Sequence, residues 1–370
     1  ADAEIERILR ALGLQAAAVA DGWSVVPPTR RFDIAIEEDL IEELARIHGY
    51  DRVPTTLPGG ATRIASPSET RVEAGVVRRQ LAARDYLETV NFAFVDAQWL
   101  AHWQVADGAV PLANPLSAEL AVMRTALLPG VVAALQRNVA RQAGRVRLFE
   151  IGNVFQAEVG TAPRETVRLA AAVVGEAAAE QWGQPARKVD FHDLKGDLES
   201  VAALSGAQLE FRPSLASHGH PGRSADVYRD NQKVGWIGQL HPRLQRALDL
   251  DAEVIAFEVD LAPLSARALP RAGDLSRYPS VRRDIAFVVA DTVPWAQIAA
   301  TARTAAGPLL RDVQLFDRYV GQGVESGQKS LAMGLILQDN SRTLTDADVA
   351  QVVAQVVAAI GDAHGAKVRG

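Results

Sequence analysis

The sequence predicts an α+β protein that is divided into three domains. A chain of 370 residues is too long for one ordinary hydrophobic core. Stretches with helical periodicity and stretches with strand-like alternation are mixed along its length. Turn-forming segments separate these stretches into three groups. We therefore place the domains at residues 1–62, 63–274 and 275–370.

The composition narrows the class of protein. Apolar residues make up 48% of the chain and charged residues 23%, as in globular proteins, and no run of eighteen apolar residues predicts a transmembrane helix. The sequence has no cysteine, which excludes disulfides and cysteine–zinc sites and fits a cytoplasmic protein. The net charge of −6 argues against a surface that binds nucleic acid throughout. Residues 275–370 carry a net charge of +1, so we expect any RNA contact there.

The first segment predicts two helices and one strand. Its first helix is indicated by apolar residues at helical spacing, namely Ile5, Ile8, Leu9 and Leu12. Gly13 ends this helix, a short strand follows at Trp23–Val26, and a second helix covers Glu37–Gly49. The stretch Pro54–Pro67, rich in Pro, Gly and Ser, predicts a linker.

The middle segment predicts an α+β domain with a large antiparallel sheet. Its helices are predicted at Ser68–Arg84, Pro129–Arg141 and Asp193–Leu204. Its strands are predicted at Glu88–Phe94, Val146–Phe155 and near residues 167–174, 208–212, 223–229 and 233–240.

The last segment predicts the order βαββαβ, which is that of a ferredoxin-like sandwich. Its strands are predicted at Val281–Ala290, Val313–Val320, Lys329–Gln338 and Ala366–Arg369. One helix begins at Pro294 and ends near Ala306, and a second is capped by Thr345 and runs to Ile360. The Gly-rich stretch Gly321–Gly327 predicts a hairpin turn.

An acidic cluster marks the second helix. Asp39, Glu42 and Glu43 have the spacing i, i+3 and i+4, which places them on one helix face, and Asp33 lies in the loop before it. Carboxylates held close together repel unless a cation lies between them, and oxygen ligands suit Mg²⁺. The alternative is a solvated helix face, because acidic residues favour helix N-termini and Arg46 can pair with Glu42 or Glu43. The spacing leaves both interpretations open.

Two other groups of residues favour structural roles. Arg124 predicts a buried arginine that pairs with a carboxylate such as Glu119 or Glu150. His218 and His220 have no third metal ligand at suitable spacing, so they predict a loop that leads into the strand at Arg223.

Cations and aromatic side chains in the last segment are candidates for RNA contact. Stacking of aromatic rings with nearby cations suits unstacked bases. The alternative is that Phe316 and Tyr319 fill the core of this domain. The candidates are Arg277, Tyr278, Arg282, Arg283, Phe316, Arg318, Tyr319, Lys329 and Arg342.

Stretches from all three segments, in order, resemble bacterial phenylalanyl-tRNA synthetase beta subunits. RRFDIAIEEDLIEELARIHGYDRVP at 30–54 resembles the metal-bearing domain of that family. NPLSAELAVMRTALLPG at 114–130 and RLFEIGNVF at 147–155 resemble its catalytic-like domain, which has a class II synthetase fold. RYPSVRRDIAFVV at 277–289 resembles its ferredoxin-fold anticodon-binding domain. Arg30 and His48 depart from the family pattern, which has aromatic residues there.

The resemblance implies a non-catalytic subunit of a phenylalanine–tRNA ligase. Such a subunit assembles with a catalytic alpha subunit in an alpha2beta2 heterotetramer, binds tRNA(Phe), and belongs to a holoenzyme that uses ATP. By position, the resemblance implies that Asp33, Asp39, Glu42 and Glu43 hold one Mg²⁺ shared with the alpha subunit. It also implies that the family's N-terminal tRNA-binding and editing domains lie outside this chain, which we expect to be a piece of a longer subunit.

No catalytic residue is predicted in this chain. A class II synthetase site needs an element of the G-x-G-x-E-R kind, whose arginine stabilises charge on the transferred phosphate. The nearest match, Gly235–Leu240, has neither the Glu nor the Arg. We therefore expect the isolated chain to be inactive. Two alternatives are a freestanding RNA-binding or assembly module and a metal-dependent phosphohydrolase; the second has only Arg46 to hold a phosphate.

Overall fold

The structure is a computed structural model that describes residues 2–57, 59–60, 66, 68–272 and 275–369. The chain forms two compact units, Ala1–Ser68 and Glu69–Gly370. The predicted domain boundary at residues 62 and 63 lies outside the described residues, as does residue 274 at the second boundary and part of the predicted linker. Within the described part of the chain, no helix has the length and apolarity needed to cross a bilayer.

The first unit packs two helices against a β-hairpin. Its elements are α1 (Asp2–Ala11), β1 (Gln15–Val19), β2 (Gly22–Val26) and α2 (Glu37–His48). Gly13 has a φ of +82°, a left-handed conformation that lets the chain turn from α1 into β1. The hairpin is antiparallel. Its first strand was not predicted, because the sequence QAAAV does not alternate between apolar and polar residues. Leu9 and Leu14 are buried in the small core of this unit.

A seven-stranded sheet forms the centre of the second unit. Its strand order is β3-β6-β7-β11-β10-β9-β8. All neighbours are antiparallel except β3 and β6, which are parallel, so the predicted large antiparallel sheet is confirmed except at this edge. The strands are β3 (Leu87–Glu88), β6 (Val146–Gln156), β7 (Arg164–Val174), β8 (Glu210–Pro213), β9 (Gly219–Arg229), β10 (Gln232–Leu240) and β11 (Ile255–Asp260).

Helices cover both faces of this sheet. Leu194 and Leu198 belong to the core on one face, while Leu128 and Leu135 belong to the core on the other. Alternate residues of each strand therefore enter different cores, as the pleat of a sheet requires. The helices are α3 (Ala74–Ala82), α4 (Ala97–Trp103), α5 (Leu128–Ala140), α6 (Phe191–Ala203), α7 (Pro242–Ala247) and α8 (Leu261–Ser265).

Two predictions in the middle segment differ from the structure. The helix predicted from residue 68 begins only at Ala74. The strand predicted at Glu88–Phe94 is broken: β3 ends at Glu88, and β4 (Phe94–Val95) pairs instead with β5 (Val122–Met123) in a separate two-stranded sheet. The apolar residues between them, Val90 and Phe92, are largely exposed, so the alternation does not correspond to a buried strand face.

The C-terminal part of the second unit confirms the predicted ferredoxin-like order. The four strands form a sheet in the order β13-β14-β12-β15, and the predicted Gly-rich turn joins β13 to β14. The helices pack on one face of this sheet, where they share a core with Phe287, Met333 and Leu335. The elements are β12 (Val281–Ala290), α9 (Trp295–Ala306), β13 (Leu310–Tyr319), β14 (Gln328–Leu337), α10 (Asp346–His364) and β15 (Lys367–Val368).

Candidate functional site

The acidic cluster lies at the N-terminal end of α2, as the sequence predicts. The Asp39 carboxylate accepts hydrogen bonds from the backbone N–H groups of Ala35, at 2.7 Å, and Ile36, at 2.9 Å. These bonds hold the chain entering the helix and keep the pKa of Asp39 below its usual range. Asp39 therefore has a structural role at this helix terminus.

Arg31 joins two other members of the cluster. Its guanidinium donates to both carboxylate oxygens of Asp33, at 2.7 Å for the shortest bond, and to Glu43 at 3.0 Å. Arg46 donates to Glu43 through Nε at 2.9 Å and through Nη2 at 2.6 Å. The two guanidinium groups, Arg46 first, lower the pKa of Glu43 to about 2. The predicted pairing of Arg46 with Glu43 is confirmed.

Glu42 completes the predicted set but is exposed and has no hydrogen bond or ion pair among the described residues. No group of three His, Asp or Glu side chains in the described ranges is arranged to hold a metal ion. The residue types fit a hard cation. The side-chain arrangement does not, because the guanidinium of Arg31 occupies the position between Asp33 and Glu43.

The predicted role of Arg124 is confirmed by a buried ion pair. Its Nη1 donates to Glu150 at 2.6 Å, and its Nε donates to the carbonyl of Asn153 at 2.9 Å. Both charged side chains are at least nine-tenths buried. Glu150 also accepts from the Asn91 side chain at 2.7 Å. Glu119, the other predicted partner, lies in a separate 3₁₀ turn.

A second buried network surrounds Asp197 and was not predicted from the sequence. Asp197 accepts hydrogen bonds from Arg147, from Arg84 at 2.7 Å and from the hydroxyl of Tyr86 at 2.7 Å. Burial raises the pKa of Tyr86 well above its usual range. One signal was available, because Asp197 follows Leu194 by three residues on the apolar stripe of α6, where a carboxylate needs a partner.

A third set of charges lies at the end of β11. Arg168 donates to Glu258 and to Asp260, each at 2.9 Å. The second oxygen of Glu258 accepts from the backbone N–H groups of Leu127 and Leu128, where α5 begins. This carboxylate thus satisfies both an arginine and a helix N-terminus.

The ferredoxin-like sheet exposes aromatic rings on the face that the helices leave uncovered. Phe316 is 51% exposed and Tyr319 is 39% exposed, so the alternative that they fill the core is wrong. The guanidinium of Arg282 lies 5.2 Å from the centre of the Phe316 ring, and that of Arg369 lies 5.5 Å from the Tyr319 ring. An irregularity in the pairing of β13 with β14 between Leu315 and Asp317 occurs at Phe316. Arg282 and Arg318 also form exposed ion pairs.

The two histidines of the H-x-H pair make different contacts. His220 accepts a hydrogen bond from the backbone N–H of Gly222 through Nδ1 at 3.1 Å. His218 packs edge-on against Trp236 with 4.6 Å between ring centres. His220 lies in β9, which begins at Gly219, so the predicted loop ends earlier than expected.

Comparison with protein families gives three matches in chain order. Residues 1–50 match the family model described as the tRNA synthetase B5 domain. Residues 53–261 match the phenylalanyl tRNA synthetase beta chain CLM domain, which covers more than half of the chain. Residues 276–369 match the ferredoxin-fold anticodon binding domain.

Curated relatives are similar over the whole chain. Phenylalanine–tRNA ligase beta subunits from Xanthomonas campestris pv. campestris (strain 8004) and Xanthomonas axonopodis pv. citri (strain 306) are 70% and 69% identical over 370 residues. The beta subunit from Xylella fastidiosa (strain Temecula1 / ATCC 700964) is 62% identical over the same length. These alignments include 100% of this chain and 47% of each relative, so the chain spans about half the length of the relatives it matches.

Proposed function

The chain belongs to the phenylalanyl-tRNA synthetase beta-chain family, and from this premise we propose that it supports phenylalanine–tRNA ligation without catalysing it. In this proposal the chain assembles with an alpha subunit, in a heterotetramer of two copies of each, and the ATP-dependent reaction occurs on the alpha subunit. We also propose that the chain is cytoplasmic and that its domains span residues 1–62, 63–274 and 275–370. In this proposal residues 63–274 have a class II synthetase-type fold.

The pairing of arginines in and beside the central sheet supports a non-catalytic role. Arginines that hold ATP phosphates must offer free N–H groups to an anion. Arg124, Arg147 and Arg168 instead bind carboxylates of this chain. An incoming triphosphate would have to break these partly or fully buried ion pairs, which is costly.

Pyrophosphate exchange tests this division of labour. The chain alone should show no phenylalanine-dependent exchange of pyrophosphate into ATP, and exchange should appear when alpha subunit is added. The alpha subunit alone is the control, since its own activity sets the background. Exchange catalysed by this chain alone would overturn the proposal. Failure to co-purify with alpha subunit, together with retained RNA binding, would favour the alternative of a freestanding RNA-binding module.

We further propose that Asp33, Asp39, Glu42 and Glu43 form the part of a Mg²⁺ site that the alpha subunit completes. These four carboxylates, all within an eleven-residue stretch, supply the oxygen ligands that a hard cation needs. Such an ion would neutralise their mutual repulsion at the subunit contact. Because Arg31 already binds two of them, an ion must compete with its guanidinium.

Glu42 gives the sharpest test of this metal site, because it has no structural partner among the described residues. Glu42→Gln should weaken Mg²⁺ binding and association with alpha subunit together, measured by calorimetry with the two chains. Glu38→Gln, a change on the same helix outside the set, should alter neither. Arg31→Gln should strengthen Mg²⁺ binding by removing the competing cation. If Glu42→Gln binds Mg²⁺ with unchanged affinity, the cluster is a solvated helix face and not a metal site.

For tRNA(Phe), we propose that the exposed face of the ferredoxin-like sheet stacks unpaired bases on Phe316 and Tyr319. The two arginines beside these rings supply the cations that accompany stacking. Phe316→Ala should weaken tRNA binding by roughly 1–3 kcal/mol, the usual value of one stacked base. Arg303→Ala, an exposed change on α9, is the control that removes a charge from the opposite face. If both variants bind tRNA with equal affinity in fluorescence titrations, this surface does not stack its bases.

A further inference from the structure

A cavity of about 380 Å³ opens on the face of the central sheet that α5 covers. Its walls come from β7, β10, β11, α4 and the start of α5, and they are mostly apolar. They include Trp103, Leu128, Val234 and Trp236. The volume lies within the range of 300–1,000 Å³ typical of small-molecule sites.

The charged groups on these walls already have partners. Arg168 binds both Glu258 and Asp260. Lys233 lies 2.9 Å from Asp226. The charged side chains that line the cavity also balance to zero, with Arg168 and Lys233 against Glu258 and Asp260. A ligand with a net charge therefore finds no unpaired counter-charge here and would lose its hydration on entry.

Three side chains of the cavity wall have ring nitrogens without a hydrogen-bond partner among the described residues: His218, and the buried indole N–H groups of Trp103 and Trp236. Of these, only the imidazole of His218 can both donate and accept a hydrogen bond, because an indole N–H only donates. The imidazole lies 4.6 Å from the ring centre of Trp236 and 6.3 Å from that of Trp103. Burial, with a smaller effect of Lys233, lowers the pKa of His218 to about 4. The ring is therefore neutral at pH 7 and offers one donor and one acceptor.

We propose that this cavity binds a small uncharged aromatic molecule, which contacts the apolar walls and hydrogen-bonds to the imidazole of His218. Aromatic and aliphatic walls favour a flat apolar body, and the paired charges exclude ionic groups. The imidazole offers both a donor and an acceptor, which can orient such a ligand, as in other small-molecule sites. The residues of this site belong neither to the acidic cluster nor to the exposed sheet face, so the inference does not depend on the ligase role.

Phenol and indole are suitable neutral probes for the 370-residue chain. Both should bind saturably in calorimetry and should shift the imidazole NMR signals of His218. Benzoate and benzylammonium, of similar size but charged, should bind at least tenfold more weakly. Absence of saturable binding by either neutral probe, or equal binding of the charged probes, would overturn the proposal.

Two variants locate the binding. His218→Phe keeps a ring between the tryptophans and removes the nitrogens, so phenol affinity should fall at least tenfold. His102→Phe, on the exposed side of α4, should leave the affinity unchanged. If His218→Phe melts below the parent, Ala216→Leu provides a second measurement, since a larger side chain at this wall position reduces the cavity. Full phenol affinity in a folded Ala216→Leu protein would place the binding elsewhere and overturn the inference.

Discussion

Single residues in the core of the second unit show how buried charges are tolerated. Arg124, Arg147 and Arg168 each meet a carboxylate on another segment of the chain. A buried ion pair adds little net stability compared with apolar residues, but removing one partner leaves an uncompensated charge. Replacing either residue of such a pair should therefore destabilise the protein more than replacing both.

Glu150→Gln should destabilise the protein because it leaves the buried guanidinium of Arg124 without a counter-charge. We expect a loss of about 3–5 kcal/mol in the free energy of unfolding, measured with urea. Glu158→Gln removes the partner of Arg164 in an exposed pair, and it should cost less than about 1 kcal/mol. Similar losses in the free energy of unfolding for the two variants would show that burial of the Arg124–Glu150 pair does not make Glu150 important for stability.

His218 should make stability depend on pH. Its pKa is about 4 in the folded protein, below the value of 6.5 for an unfolded chain. Between these values the unfolded state binds a proton that the folded state does not, so stability falls as pH decreases from about 6.5 towards 4. His218→Phe should remove up to about 3 kcal/mol of this decrease, measured by urea unfolding at several pH values. Parallel stability curves for parent and variant would contradict a lowered pKa.

At the scale of elements, the ends of helices follow the sequence closely. Thr345 caps α10 as predicted: its hydroxyl accepts from the N–H of Asp348, whose carboxylate accepts from the N–H of Thr345 at 2.9 Å. This reciprocal pair satisfies two N–H groups that the helix leaves open. The ends of strands are predicted less accurately from the sequence, because they depend on which strands pair with each other.

Thr345→Ala should destabilise the C-terminal part of the second unit by about 1 kcal/mol, since it removes one half of the cap. Thermal unfolding followed by circular dichroism measures the change. Thr304→Ala, at an exposed position in the last turn of α9, is the matched control and should be neutral or slightly stabilising, because Ala favours helices more than Thr does. A control that costs as much as the cap variant would argue against a specific role for Thr345.

At the scale of the whole molecule, the two units have separate cores. Three buried clusters lie entirely within Glu69–Gly370, and the small cluster around Leu9 and Leu14 lies within the first unit. Apolar burial is the main stabilising contribution to folding. A unit that contains its own core keeps this contribution when it is separated.

Residues 69–370 should therefore fold without the first unit. Produced alone, this fragment should show a cooperative thermal transition at the same temperature as the main transition of the full chain. The first 68 residues alone should be much less stable, because a small unit buries a smaller fraction of its surface. A 69–370 fragment that fails to melt cooperatively would show that its cores need the first unit.

The sequence by itself determined the α+β class, the order of the ferredoxin-like elements and the helix that carries Asp39, Glu42 and Glu43. It did so because helical and strand periodicity, caps and turn residues act between neighbours in the chain. It also predicted that Arg124 needs a carboxylate, because a buried charge needs a partner.

The tertiary structure decided which partner each of these groups has. Arg124 pairs with Glu150 and not with Glu119, and Arg147 pairs with Asp197, which is 50 residues away. Only the folded arrangement puts Arg31 between Asp33 and Glu43 and His218 between two tryptophans at a cavity wall. These choices depend on strand register and on packing between distant segments, and no local pattern in the chain specifies them.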